Sequence, residues 1–348
     1  MKFTQPSSAY NPNSRWWKRP AVLWVLVAAG CLAGFFIGFL AESIISKPVL
    51  PAPLRLGGYN FISPLLACNF SSLKVFPEFQ KMSSQIESVI KAHTSAGDIS
   101  KASTYFLNLA NGNWSDVNEK EKYYPSSLGK IPIMMAYYGL AESSNAILDK
   151  KMTYVGGADL NQTQDIKPAK AIVPGDTYTV EQLIEYMIEY SDNNATELLY
   201  NAIDKNTLRN VYSDLNIPTN GNATIENLDF ITPQQITILF RVLYNATYLS
   251  RDYSEKALQL MSKSGFTQGV YAGVPASTVV SHKLGLVGIA PNGIITDEHE
   301  LHDCGIIYAK DPYVLCVMTR GSSNLSAMEN IVAEISKTVY KNVINGGR

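Results

Sequence analysis

The order in which hydrophobic periodicity changes along the chain constrains its fold more than any other feature. Phe79, Met82, Ile86, Val89 and Ile90 repeat at helical spacing behind Pro77, a residue suited to the first turn of a helix. Ala102–Leu109 then reads as a strand and Asn111-Gly112 as a turn. A helical middle follows: Ile131–Leu148, then Tyr178–Tyr190 with Thr179 as N-cap, then Gln234–Tyr244 opened by Thr232-Pro233. Three strand-like runs, Thr278–Lys283, Cys304–Ala309 and Tyr313–Thr319, precede a closing helix with an apolar face of Met328, Ile331, Val332, Ile335 and Val339. This order predicts an α+β fold: an antiparallel sheet flanked by N- and C-terminal helices, plus an inserted all-helical subdomain.

The first residues form a separate problem. From Ala21 to Ile45 the chain reads AVLWVLVAAGCLAGFFIGFLAESII, with Glu42 its only charge. As a helix this run would rise about 37 Å, enough for a hydrocarbon core of about 30 Å. Lys2, Arg15, Lys18 and Arg19 precede it with no acid among them, the positive-inside pattern. A cleaved signal peptide needs an A-x-A-like site that is missing here. Lipidation at Cys31 would leave LAGFFIGFL as an exposed terminus. The expectation is therefore a cytoplasmic tail over 1–20 and one transmembrane anchor over 21–45. A proline- and glycine-bearing stalk and N-terminal extension over 46–74 follow, then one extracytoplasmic domain over 75–348. The protein is expected at the cell membrane, single-pass, with its N-terminus in the cytoplasm.

Composition closes off several classes. Hydrophobic residues make up 46% and charged residues 17%, with 29 basic against 30 acidic and a net charge of −1. A disordered chain or a nucleic-acid binder is not expected from these values. Asp297–Asp303, DEHELHD, lacks the H-E-x-x-H spacing of a zinc site and reads as a charged solvent loop. No metal and no cofactor is implied. Of the four cysteines, Cys31 falls in the apolar run and Cys316 reads as core, which leaves Cys68–Cys304 as the expected disulfide.

Three short patterns carry chemistry. Ser127 and Lys130 stand i, i+3 in YPSSLGKIP, one turn apart on a helix face. There a lysine that has lost its proton can activate a serine hydroxyl. Alone, S-x-x-K occurs by chance in most chains of this length. Ser191-Asp192-Asn193 follows a strong amphipathic helix; it suits a proton relay and an amide-binding group, or equally a helix cap. Lys283-Leu284-Gly285 ends a predicted strand, where it offers positive charge and close backbone approach, or merely a protected edge.

Taken in order, S-x-x-K, S-D-N and K-x-G resemble the signature of the bacterial class A β-lactamase and penicillin-binding protein-like serine hydrolase superfamily. The flanks SDNNATELL and HDCGIIYAKDPYVLCVMTRG agree with it, and the resemblance covers about residues 75–345. It implies Ser127 as acylated nucleophile, Lys130 as its activator and Ser191 as donor to the leaving nitrogen. It also implies Asn193 as holder of a substrate amide and Lys283 as positive charge near a substrate carboxylate. Beyond Gly285, the Leu286 backbone N–H would join that of Ser127 as oxyanion donor. Two departures stand out. Leu284 replaces the threonine of K-T-G, so carboxylate recognition falls to Ser281, His282 or another donor, or is lost. The deacylating glutamate matches only Glu226, in the stretch Ile225-Glu226-Asn227-Leu228-Asp229, one residue short of E-x-x-L-N.

The resemblance thus implies a serine hydrolase forming an acyl-enzyme with a β-lactam or a D-Ala-D-Ala-type peptide, with small-molecule or peptidoglycan-peptide substrates as partners. The competing reading is a catalytically retired cell-wall-binding or regulatory domain on the same fold.

Overall fold

The computed structural model describes residues 24–35, 54–67, 77–219, 231–288, 298–322 and 324–345. The chain divides into two compact units, residues 1–51 and 52–348. In the first, residues 24–35 form helix α1, a rise of about 18 Å where a bilayer core demands about 30 Å. Among the described residues no helix is long and apolar enough to cross a membrane. The transmembrane anchor expected over 21–45 is thereby overturned; the rest of that run lies outside the described residues.

The second unit is the expected α+β arrangement. Five antiparallel strands lie in the order β4-β3-β9-β8-β7: β3 Lys101–Asn108, β4 Trp114–Val117, β7 Val280–Gly288, β8 Glu298–Ile307 and β9 Tyr313–Ser322. Helices α2 (Pro77–Ala96) and α11 (Leu325–Ile344) pack together over one face. Phe79, Met82, Ile86 and Ile90 of α2 and all five predicted apolar positions of α11 meet Phe106, Leu315 and Val317 there.

The other face carries the helical part: α3 (Lys130–Ser143), α4 (Ala146–Asp149), α5 (Val180–Glu189), α6 (Asn193–Ala202), α7 (Lys205–Asp214), α8 (Pro233–Tyr244) and α9 (Arg251–Met261), whereas the short α10 (Gly269–Ala272) packs on α11. A two-stranded ribbon of β5 (Lys151–Thr153) and β6 (Thr177–Thr179) lies among them. Thr179 and Thr232 each close a capping box, with Gln182 and Gln235. The predicted run Ile131–Leu148 breaks into α3 and α4 at Ser144.

Helices on both faces leave β8 and β9 almost wholly buried. This corrects the reading of DEHELHD as a solvent loop. From Glu298 onward it is strand β8, and Glu300, His302 and Asp303 are buried. It also corrects the disulfide. Cys304 bonds to Cys316, its register partner on β9; Cys68 lies outside the described residues.

Residues 54–67 do not stand clear as a stalk. Strands β1 (Leu54–Arg55) and β2 (Leu65–Ala67) pair with each other. Arg55 donates to the Leu109 carbonyl at 2.6 Å and to Asn245 at 2.8 Å. The Glu255 carboxylate accepts the N–H groups of Asn60, Phe61 and Ile62 at 2.8, 3.0 and 2.9 Å. Ile62 is buried in the core. Replacing Glu255 by Ala removes the acceptor for three N–H donors and should cost about 1–3 kcal/mol. Urea unfolding of the two proteins measures it; equal midpoints would mean that this docking contributes nothing.

Candidate active site

Helix α3 is buried nearly all round, from Lys130 through Tyr138, as a helix at the centre of a domain must be. Pro132 fits its first turn, where the missing N–H is not needed. Lys130 at its head is drawn into the interior with it. The 3-10 turn Ser126–Gly129 leads into the helix and presents Ser127 half-buried.

Two features seat this turn on the edge strand β7. The Ser126 hydroxyl donates to the Leu286 carbonyl at 2.6 Å. Gly285 leaves room, since a Cβ there would come 3.2 Å from both Leu128 Cγ and the Pro125 carbonyl.

The second element is the junction of α5 and α6. Ser191 takes a left-handed backbone conformation, φ 60°, uncommon for any residue but glycine or asparagine. Asp192 behind it is fully buried and caps α6, accepting from the N–H groups of Asn194 at 2.8 Å and Ala195 at 3.3 Å. It also accepts from Asn161 Nδ2 at 2.8 Å and the Ile172 N–H at 2.7 Å, which ties in the segment between β5 and β6. Of the sequence alternatives for S-D-N the helix cap is seen at Asp192, while Ser191 and Asn193 meet Ser127 and Lys130.

The side chains converge on one hydroxyl. Ser191 Oγ accepts from Lys130 Nζ at 3.1 Å and from Lys283 Nζ at 2.9 Å, and donates to Ser127 Oγ at 3.2 Å. Lys130 also donates to the Ser191 carbonyl at 2.8 Å and to Asn193 Oδ1 at 2.7 Å. Burial, and then the charge of Lys283, hold the Lys130 amine well below the ordinary lysine value, against the opposing pull of Asp192. Burial brings Lys283 down to about 8, with Asp303 opposing. Loss of the Lys130 proton leaves a lone pair among hydroxyls, the condition of a general base.

A cleft of about 1010 Å³ opens over these groups, bordered by Ser127, Lys130, Ser191, Asn193, Lys283 and Leu284. Leu286 also lines it. Neither residue offered as a substitute for the K-T-G threonine takes its place. The Ser281 hydroxyl is buried and donates to the Leu258 carbonyl at 2.7 Å, and His282 pairs with Asp303 at 2.8 Å. Glu226 lies outside the described residues. Among the described residues no carboxylate is hydrogen-bonded to Ser127, Lys130 or Ser191, and no cluster of His, Cys, Asp and Glu fit for a metal occurs.

The fold agrees with comparison to known proteins. The model of the beta-lactamase enzyme family matches residues 81–343. The chain belongs to the beta-lactamase enzyme family. It is a serine hydrolase of that family. It is 23% identical over 304 residues to Beta-lactamase VEB-1 of Pseudomonas aeruginosa, covering 81% of this chain and 96% of that protein. Among solved structures it resembles a beta-lactamase from Chitinophaga pinensis, with a TM-score of 0.63 at 17% identity over 76% of this chain and 99% of the other. It also resembles a PBP-A mutant in an acyl-enzyme complex with penicillin G, with a TM-score of 0.62 at 19% identity over 76% and 97%. The two structural likenesses speak for the fold alone.

Sequence reasoning passed over Asn161, which orders this beta-lactamase-family site from behind. Its Oδ1 accepts from the Asn193 N–H and from Gln164 Nε2, both at 2.8 Å. No spacing rule links it to Ser191, because the contact is made by a loop folding back. Converting Asp192 to Asn should destabilise the protein by about 2–4 kcal/mol, since a buried carboxylate that satisfies several N–H groups is lost. Thermal unfolding reports it, and an unchanged midpoint would deny Asp192 its anchoring role.

Proposed function

We propose that the protein forms an acyl-enzyme on Ser127, taking the acyl group of a β-lactam or of a D-Ala-D-Ala-type peptide, and then hydrolyses it slowly. The observation that carries this reading is the Ser191 hydroxyl, bonded at once to Ser127, Lys130 and Lys283. Neutral Lys130 draws the Ser127 proton through Ser191 as Ser127 Oγ attacks the carbonyl carbon. The oxyanion is held by the N–H groups of Ser127 and Leu286. Ser191 then returns a proton to the leaving nitrogen, and Lys130 reprotonates Ser191. Water opens the ester and frees Ser127.

Membership of the beta-lactamase enzyme family and similarity to a protein named Beta-lactamase VEB-1 support the β-lactam as substrate. Slow hydrolysis is supported by the imperfect match around Glu226. A retired domain is the weaker reading. Two lysines buried against one hydroxyl cost several kcal/mol, and a purely structural role would be served by apolar residues. The Cys304–Cys316 bond supports action outside the cytoplasm, where disulfides persist.

A fluorescent penicillin should label the protein covalently and keep the label for hours, and Ser127→Ala should abolish labelling. Release within seconds would instead mean an efficient β-lactamase, and an unlabelled wild-type protein would refute the β-lactam as substrate. The labelling rate should rise with pH as Lys130 loses its proton and fall above about pH 8 as Lys283 loses its own. Lys283→Met should remove the fall. It should also move the rise to higher pH, because the repulsion that lowers Lys130 is gone. Superimposable pH profiles of the two proteins are the contrary result.

A further inference from the structure

Glu300 and His302 are fully buried polar residues that the acylation chemistry leaves unused. Buried groups of this kind are costly unless well partnered, so their partners show what they do. Both lie on the same face of β8, two residues apart, and both hold Tyr124. Glu300 Oε2 accepts the Tyr124 N–H at 2.7 Å, and His302 Nε2 donates to the Tyr124 carbonyl at 2.9 Å.

The hydrogen of His302 is assigned by its surroundings. Nε2 has two acceptors near it, the Tyr124 carbonyl and Glu300 Oε2 at 3.5 Å, so it carries the proton. Nδ1 is buried and has no hydrogen-bond partner among the described residues.

Glu300 is held in turn by Arg320, its register partner on β9, through Nε at 2.8 Å and a second bond from Nη2. Burial pushes the Glu300 carboxyl up, but His302, Arg320 and the Tyr124 N–H together bring it below the ordinary value. It stays ionised, and its bond to the backbone is charge-assisted. The residue before Tyr124 is fixed as well: the His302 ring meets the Tyr123 ring edge-on at 5.3 Å, and the Tyr123 hydroxyl pairs with Ser103 at 2.8 Å.

Tyr124 stands three residues before Ser127, and the intervening Pro125 has φ −65°, a torsion its ring keeps from varying. Little slack remains between the grip on Tyr124 and the serine. We propose that Glu300 and His302 are positioning residues, which fix Ser127 Oγ for attack by holding Tyr124 through both its N–H and its C=O. This rests on the reading of Ser127 as the acylated nucleophile.

Stopped-flow labelling with fluorescent penicillin separates non-covalent affinity from the first-order acylation step. A displacement of about 1 Å in a reacting group can cost about 100-fold. His302→Leu and Glu300→Ala should therefore slow acylation roughly ten- to hundredfold with affinity changed less than about twofold. His302→Gln, which keeps an N–H donor for the same carbonyl, should recover most of the rate. Amide hydrogen exchange supplies a readout independent of any substrate: peptides over 122–129 should exchange faster in His302→Leu, with β9 and α3 unaltered. Unchanged exchange over 122–129, loss of rate and affinity in parallel, or no recovery in His302→Gln would overturn the proposal. A wild-type protein that takes no label refutes the β-lactam as substrate, and the exchange data then decide separately whether the grip on Tyr124 exists.

Discussion

Two ammonium groups drawn into the protein interior toward a single hydroxyl are the constraint around which the rest of the site is built. Each would hold its charge easily in water. Lys130 is denied water by the helix it heads, and Lys283 by the sheet it belongs to. Their repulsion, carried by their common contact with Ser191 Oγ, works against both being charged. An environment that resists a second charge favours the free amine at Lys130 and holds it well below the ordinary lysine value. The usual obstacle to serine chemistry is the lack of a base at the serine's side. In the proposed reaction it is removed by burial, with no histidine among the hydrogen-bond partners of Ser127, Ser191 or the two lysines.

Such an arrangement needs rigid support, because unlike groups from three distant parts of the chain must meet within hydrogen-bond range. Each comes from the end or edge of a regular element. Ser127 precedes α3, Ser191 precedes α6, and Lys283 lies on the edge strand β7. The backbone around them is exceptional in the places where it must turn a side chain inward: Ser126 and Ser191 both have positive φ. The hydrogen bonds around these turns come from Leu286 and Asn161, outside the three motifs, and from Asp192 within S-D-N.

Much of this was readable in the residues. The helical repeats of α2 and α11, the caps Thr179 and Thr232 and the order of the motifs depend on local pattern, and local pattern survives folding. Ser127, Lys130, Ser191, Asn193 and Lys283 came together because each sits at a fixed offset from an element end. What escaped notice depends on tertiary packing. Charge content marked Glu298–Asp303 as solvated, yet helices on both faces of the sheet bury that strand whatever its composition. The Cys304–Cys316 pair is a matter of hairpin register. The two residues stand equally far from Lys310 in the turn between β8 and β9, a symmetry visible in the sequence once that turn is located. The apolar run near the N-terminus satisfies a hydropathy rule, but among the described residues no helix is long and apolar enough to cross a membrane.

The docking of residues 54–67 changes where the catalytic body begins. Family similarity alone starts it near residue 81. Yet Ile62 belongs to the same apolar core as Leu128 and Ile131 beside Ser127. The Phe61 carbonyl accepts from the Tyr308 hydroxyl, which Ser281 of the lysine-bearing strand also contacts. A recombinant fragment trimmed to the family boundary would therefore lose part of its own interior along with a tail. The compact unit that carries the site, 52–348, begins some thirty residues before its family likeness does.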